Sequence, residues 1–373
     1  MTARVAVLLP VYNAGEYLNQ AVDSVLGQSF TDFTLILADD GSTDAETLRI
    51  LNGYEQNSQV RMLRNKTNKG LAATLNVALE TALADPACKY VARMDADDIC
   101  HPDRLARQVA YMDTHRDIGI SGTAYVQFED GREHMHERVH QPTSHEQLMA
   151  RLLFQPPFAH PTVMIRSKAL HHTQARYDEN LPCTEDYELW ARLLLEHNLR
   201  GGNIDEPLLR YRRHPKSMGQ RLQKQENQIA DNVRARVLTA FGFSVSCDEL
   251  HRHNALARGD LPKKRESVHK AVLWLDNIRK NAAASNTQNF HRLNRQALDM
   301  ELDSRLLHTC DHATTLGPMV WRLWRQYSVT TKKDGARLLV KSMLHWDNDR
   351  SREHGLRKRL KEAIRRLAAG SDA

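Results

Sequence analysis

Apolar and polar positions along the first 120 or so residues switch repeatedly between the period of a strand and that of a helix. Arg4 to Leu9 (Arg-Val-Ala-Val-Leu-Leu) is apolar almost throughout and is followed by Pro10. Such a run suits a strand covered on both faces, as in a parallel sheet. Asn13-Ala-Gly-Glu16 then has the spacing of a capping box, with Leu18, Val22 and Val25 as a helical stripe behind it. Phe33 to Ala38, the turn Asp39-Asp40-Gly41-Ser42 and a second capping box at Thr43-Asp-Ala-Glu46 repeat the plan, with Ser42 and Thr43 read as caps. Val60 to Leu63 is a third strand, and Leu71 to Leu83 a third helix entered through Asn68-Lys69-Gly70. Tyr90 to Met94 is a fourth strand, and Arg104 to Tyr111 lies in the helix beyond it.

Repeated alternation with short links predicts a doubly wound α/β sheet with right-handed crossovers. Ligands of such sheets sit beyond the carboxyl ends of the strands. Pro10-Val-Tyr-Asn13, Asp39-Asp40 and Asp95 to Asp98 all fall at those ends. After Ile118 the regular alternation stops. Ile118 to Phe128 reads as a strand, Glu129-Asp-Gly131 as a turn, His145 to Phe154 as a short helix and Thr162 to Ile165 as a strand. A helix begins near Glu185-Asp186, and Asn203 to Tyr211 returns as a strand before Arg212-Arg213-His214. From about Arg221 long helical patterns dominate.

The totals narrow the class. A chain of 373 residues has room for two domains, or one large domain with an appendage. No run approaches the ~18 consecutive apolar residues that a membrane span needs, and Val5 to Val11 is too short for a signal peptide. Five scattered cysteines, without a close pair, argue against a disulfide framework or zinc site and for a reducing, cytoplasmic setting. The net charge of +6 is uneven: residues 331–373 hold 12 Lys and Arg against 6 Asp and Glu. Near the end Leu356, Leu360, Ile364 and Leu367 form one apolar stripe among basic residues. Such a helix either lies on an anionic membrane surface or packs its stripe on its own domain. No recognition module for nucleic acid accompanies the basic tail, so none is expected as a partner.

The chemistry concentrates at Arg93-Met-Asp-Ala-Asp-Asp98, where three carboxylates occupy four positions. Burying them unpaired would cost several kcal/mol each, roughly, whereas a hard divalent cation reverses the sign. Mg²⁺ or Mn²⁺ typically uses one or two carboxylates plus substrate phosphates. Asp95 and Asp97 share a face if the strand persists that far; otherwise the stretch is an acidic turn before a helix. The chain has no GxxxxGK[ST] loop and no GxGxxG after a strand. A diphosphate at this sheet edge would therefore need a cation to neutralise it.

Five stretches in order complete the picture: Pro10-Val-Tyr-Asn13, Asp39-Asp-Gly-Ser-Thr-Asp44, Arg93-Met-Asp-Ala-Asp-Asp98, Thr184-Glu-Asp-Tyr-Glu-Leu-Trp190 and Tyr211-Arg-Arg-His214. Together they resemble the motifs of glycosyltransferase family 2. The resemblance covers roughly residues 1–218, taken as one nucleotide-sugar transferase domain, and leaves 219–373 as a basic, mainly helical region. It implies a GT-A fold, a nucleotide-sugar donor (UDP-type by preference), Mn²⁺ or Mg²⁺, and inversion at the anomeric carbon. Pro10, Val11, Tyr12 and Asn13 would line the nucleotide site. Asp39, or Asp40 in its place, would contact the base, and Asp95 the ribose or the metal. Asp97 would bind the metal with His214, and Asp98 would support them. Asp186 would be the catalytic base, with Glu185 as the neighbour that could exchange roles, and Arg212 and Arg213 would neutralise the leaving diphosphate. At the start of a helix Asp186 should be held ionised, and so be a weaker base. His160 is expected to shape the acceptor side. The acceptor would be a glycan or lipid-linked glycan in bacterial surface polysaccharide or lipopolysaccharide synthesis at the cytoplasmic face of the inner membrane. A sugar nucleotidyltransferase and a non-catalytic nucleotide- or glycan-binding module are the alternatives. The first lacks its Gly-rich basic loop, and the second leaves Asp95, Asp97 and Asp186 without a use.

Overall fold

The computed structural model describes residues 3–130, 132–214, 222–284, 293–329 and 334–344. The chain divides into two compact units, Met1–Ala240 and Phe241–Ala373. In the first, β1 (Val5–Val11), α1 (Tyr17–Leu26), β2 (Phe33–Asp39), α2 (Ala45–Tyr54), β3 (Val60–Arg64), α3 (Leu71–Leu83) and β4 (Tyr90–Arg93) alternate as the periodicity predicts. These four strands are parallel and stand in the order β3-β2-β1-β4. Val5, Val7, Leu9 and Val11 share one core with Leu18, Val22 and Val25 of α1 and Ile50 and Leu51 of α2. α3 lies against β1 and β2 as well. All seven residues of β1 are consequently buried, which is why its sequence is continuously apolar rather than alternating. Strand order reverses between β1 and β4, and the crevice outside that point is where such a sheet takes its ligand.

The remaining elements of this unit are β5 (Ile99–Cys100), α4 (Arg104–Thr114), β6 (Ile118–Glu129), β7 (Arg132–Val139), α5 (His145–Leu152), a 3₁₀ turn (His160–Thr162), β8 (Met164–Arg166), α6 (Ser167–Thr173), α7 (Glu185–Ala191), β9 (Arg200–Arg213) and α8 (Gln223–Ala240). They extend the sheet as β4-β8-β6-β9-β5, with β7 paired to β6. β8 runs antiparallel to both β4 and β6, whereas β6 and β9 are parallel. The result is the mixed α/β sheet expected, longer and more curled than the first four units imply. β5 pairs antiparallel with β9, Ile99 opposite Arg210 and Cys100 opposite Leu209.

Local details depart from the sequence reading in three places. Asn13 caps no helix: it takes a left-handed conformation (φ 48°), and its Oδ1 accepts the N–H groups of Thr43 and Asp44 at 2.8 and 3.1 Å. Ser42 Oγ accepts from Asn13 N–H at 3.0 Å, and Asp44 rather than Thr43 caps α2, accepting from Thr47 N–H at 2.8 Å. The polar side chains after β1 and β2 therefore lace the two loops together. The third departure is that β4 ends at Arg93. Asp95 and Asp97 lie beyond it in a turn, and the shared-face argument does not apply to them.

The second unit is helical in its described part: α9 (Cys247–Arg258), α10 (Arg265–Ala284), α11 (Arg295–His312), α12 (Met319–Tyr327) and α13 (Asp334–Leu344). Val272, Leu275, Ile278, Leu298, Leu302, Leu306, Val320 and Leu338 are buried there. Arg279 bridges Asp299 and Asp303 at 2.7 Å each. No helix among the described residues is long and apolar enough to cross a membrane. The basic stripe Leu356 to Leu367 lies outside the described residues.

Gly41 has a φ of +72°, and a Cβ added there would lie 2.6 Å from the backbone carbon of Thr67. Gly41→Ala should cost about 2–4 kcal/mol in chemical denaturation, because both φ and a rigid backbone oppose it. Gly53→Ala, in α2 with open space around the new Cβ, should instead be neutral or stabilising by up to about 1 kcal/mol.

Candidate active site

Asp95, Asp97 and Asp98 meet in the turn between β4 and β5, each offering an oxygen within 4.8 Å of the others. The turn is held from both sides. Arg93, the last residue of β4, is 5% exposed and forms an ion pair with Asp95. From the far edge, Arg212 of β9 donates its backbone N–H to Asp98 Oδ1 and its Nε to the Asp97 carbonyl, both at 2.8 Å. Arg212 also binds Asp130 at 2.9 Å and Gln20 at 2.6 Å. His214 Nε2 stands 3.0 Å from Asp97 Oδ2. Successive strand residues face opposite ways, so Arg212 is drawn into the cluster and Arg213 is left exposed.

Asp98 is 1% exposed, and its Oδ2 has no hydrogen-bond partner among the described residues. Burial, with Asp95 and Asp97 beside it, pushes its carboxyl well above the ordinary range. Burial also raises Asp95, with Arg93 opposing and Asp97 adding to the effect. Three hard oxygen donors crowded at like charge, with an imidazole adjoining, are a donor set that suits Mg²⁺ or Mn²⁺. Asp95, Asp97, Asp98 and His214 are the residues that would hold the ion.

The two acids after β2 differ in what they hold. Asp40 has both oxygens engaged: Oδ1 accepts from Lys69 N–H and Asn65 Nδ2, and Oδ2 from Gly70 N–H, at 2.8–2.9 Å. It anchors the loop leading into α3. Asp39 receives Ser42 N–H on Oδ1 at 2.9 Å, and no bond to Oδ2 is made among the described residues. Pro10 and Val11 are buried, while Tyr12 is 50% exposed. Val11 lies opposite Asp39 in the sheet, so the exposed Tyr12 follows directly on the strand position paired with a carboxylate that has one oxygen uncommitted among the described residues.

Glu185 and Asp186 open α7, a helix of seven residues. Thr184 before them is left-handed (φ 63°) and makes no capping bond, so the helix start is weakly formed. The helix end does not hold these acids at low pKa. Burial pushes Glu185 up to about 7 and Asp186 up to about 6, against the backbone hydrogen bond that Asp186 accepts from Tyr187. Desolvation outweighs the end of a short helix, and Asp186 is a stronger base than its position alone suggests.

His160 faces this pair, its Nδ1 3.7 Å from Glu185 Oε1 and its Nε2 2.9 Å from Tyr177 Oη. Burial, and the charge of Arg93, hold the imidazole well below its ordinary pKa, so it is neutral. Tyr177 is fixed by Asn76 of α3, which accepts its N–H at 2.9 Å and donates to its carbonyl at 3.0 Å. Sequence reasoning found His160 but missed Tyr177, Asn76 and Gln20, which lie far away in the chain and in no recognisable motif. Arg93 stood inside a quoted motif, but only its burial reveals that its charge acts on Asp95, Glu185 and Asp186 alike.

Comparison with known proteins fits this geometry. The family profile for glycosyl transferase family 2 matches residues 6–173. The putative glycosyltransferase EpsE of Bacillus subtilis is 35% identical over 212 residues, covering 56% of this chain and 73% of that protein. The O-antigen biosynthesis glycosyltransferase WbnJ of Escherichia coli is 33% identical over 217 residues, covering 57% and 81%. Among solved structures, S. aureus TarS 1–349 in complex with UDP-GlcNAc superposes with a TM-score of 0.53 at 18% identity, over 91% of this chain and 90% of that one. That likeness shows the fold, a GT-A architecture, and the relatives of 33–35% identity show that the chain belongs to glycosyltransferase family 2.

Proposed function

We propose that this glycosyltransferase moves a sugar from a nucleoside-diphosphate donor to a hydroxyl of a glycan acceptor, with inversion and with a divalent cation. The observation that carries the reading is the division of acids into two sets. One set, Asp95, Asp97 and Asp98 with His214, is crowded at like charge as if for a cation. The other, Glu185 and Asp186, is partly desolvated and titrates near neutrality. A carboxylate of pKa near 6 is ionised at pH 7, yet basic enough to accept a proton as a bond forms.

In this reading the base stacks on Tyr12 beside Asp39, since Asp40 is committed to the loop behind. The bound cation supplies charge neutralisation at the diphosphate. Arg212, fixed by Asp130 and Gln20, adds a positive charge at the same edge. Asp186 takes the proton of the acceptor hydroxyl. The hydroxyl oxygen attacks the anomeric carbon from the face opposite the diphosphate, and the bonding pair of the old C–O bond leaves with the diphosphate. Glu185, set against neutral His160, keeps Asp186 from being the only acid able to serve. TarS has been solved with UDP and with UDP-GlcNAc, and WbnJ is named for O-antigen synthesis. These support a UDP-sugar donor and a surface-polysaccharide acceptor here. We further propose residues 1–218 as the unit that carries this chemistry.

Calorimetry with UDP should give binding in the presence of Mn²⁺ that chelation by EDTA abolishes. Asp97→Ala should lose the Mn²⁺ dependence; unchanged dependence would remove Asp97 from the cation site. Asp186→Asn should keep UDP affinity within about twofold while lowering kcat by about 10³-fold or more. Transfer by the wild type should fall on the acid side with a midpoint near pH 6–7. A limb near pH 4 would mean that neither acid is the base.

The raised pKa values also have a sign for stability. The folded state binds protons that the unfolded chain releases between about pH 4 and 7, so stability falls as pH rises through that window. Asp186→Asn should therefore raise Tm at pH 8 by a few degrees, an upper bound of about 3 kcal/mol following from a shift of 3.8 to about 6. A lowered Tm at pH 8 would contradict it.

A further inference from the structure

Arg104 is out of place by every local rule. It is the first residue of α4, where a cation opposes the helix dipole, and it is 0% exposed. Its hydrogen-bond partners are all neutral: Gln108 Oε1 at 3.0 Å, Arg93 O at 2.7 Å, Val163 O at 3.5 Å, Met94 Sδ at 3.6 Å and Cys100 Sγ at 3.4 Å. A fold seeking only stability here would do better with a methionine or leucine, since a buried charge without a touching counterion is costly. What the guanidinium does that no apolar side chain could is reach the carbonyl of Arg93 at the end of β4 and that of Val163 just before β8, which also accepts Arg93 N–H at 2.9 Å. Arg93 O lies two residues before Asp95, and Val163 O three residues after His160. Gln108, one turn along the same helix, extends the link. Its Oε1 takes Arg104 Nε, and its Nε2 donates to Thr162 O at 2.9 Å and Ser121 Oγ at 3.4 Å.

We propose that Arg104, with Gln108, is a positioning residue for sugar transfer, a clamp beneath the site that holds the acidic turn after β4 in register with the His160 turn before β8. One end of the clamp fixes the residues assigned to the donor and its cation. The other fixes the imidazole set against Glu185. A planar fork of five donors is what this geometry uses, and lysine cannot reproduce it. The proposal rests on the transferase reading above.

The test uses the full chain and three variants. Arg104→Lys keeps the charge and loses the fork. Gln108→Leu cuts the bonds to Thr162 O and Ser121 Oγ together with the one to Arg104 Nε, and leaves the guanidinium its bond to Arg93 O. Val109→Ala, a neighbouring core truncation, serves as a control for simple loss of stability. Arg104→Lys should weaken Mn²⁺-dependent UDP binding by about tenfold or more, with Val109→Ala within about twofold at a comparable loss in Tm. Gln108→Leu should leave UDP affinity within about twofold but lower kcat about tenfold with the donor found active for the wild type. If Arg104→Lys lowers UDP affinity no more than the control, or if Gln108→Leu folds and turns over like the wild type, the clamp is structural only and the proposal fails. If Arg104→Lys does not fold, Gln108→Leu decides alone. A wild type that binds no nucleotide with Mn²⁺ would overturn the reading of the site itself, a result distinct from either variant outcome.

Discussion

Three carboxylates within 4.8 Å of one another repel, and at the edge of a core that repulsion is little screened. The surroundings of the cluster answer that fact. Arg93 approaches from β4, Arg212 from β9 and Arg104 from beneath, all of them buried. Arg93 forms an ion pair with Asp95, but Arg104 is held by backbone carbonyls and Gln108, and Arg212 by Asp130 and Gln20. Those two guanidinium groups thus do not collapse onto the carboxylates and satisfy them. Asp98 keeps an oxygen without a partner among the described residues, and Asp95 and Asp98 stay hard to ionise. Such a cluster is destabilising on its own, and a cation held by it would offset that cost.

The same logic, with burial in place of repulsion, governs the second pair of acids. Glu185 and Asp186 lie at the start of a helix too short and too poorly capped to lower their pKa values, in a wall made by His160, Tyr177 and Trp190. The enclosed imidazole is neutral and cannot form an ion pair with Glu185. Two acid sets in one unit are therefore both made harder to ionise, one by crowding and burial and the other mainly by burial, and the charge of Arg93 acts on both.

Much of this was legible in the sequence because it is periodic or local. The buried parallel strands announced themselves by continuous apolar runs, and the acids gathered at strand ends because that is where a doubly wound sheet leaves its loops. What was not legible depends on contacts between distant segments. Asn13 has the spacing of a cap, yet it bonds to residues thirty positions on, because the loops after β1 and β2 meet at the sheet edge. Asp39 and Asp40 cannot be told apart by spacing; only the loop 65–70 decides which has oxygens to spare. The pKa of Asp186 was misjudged because helix position is visible in a sequence and desolvation is not. Arg104 begins a helical stretch in the sequence, and nothing local marks it as buried.

The two-residue strand Ile99–Cys100 is completed by Leu209 and Arg210, and Asp98 is held by Arg212, 114 positions downstream. This has a consequence for the order in which a growing chain acquires function. The first four strands can pair once residue 93 has been made, since β1, β2 and β3 follow one another across the sheet and β4 returns to β1. The acidic turn cannot be fixed until β9 has been synthesised and has crossed to the edge of the sheet. A nascent or truncated chain ending before residue 209 can therefore bury most of this core and still lack a closed acidic turn.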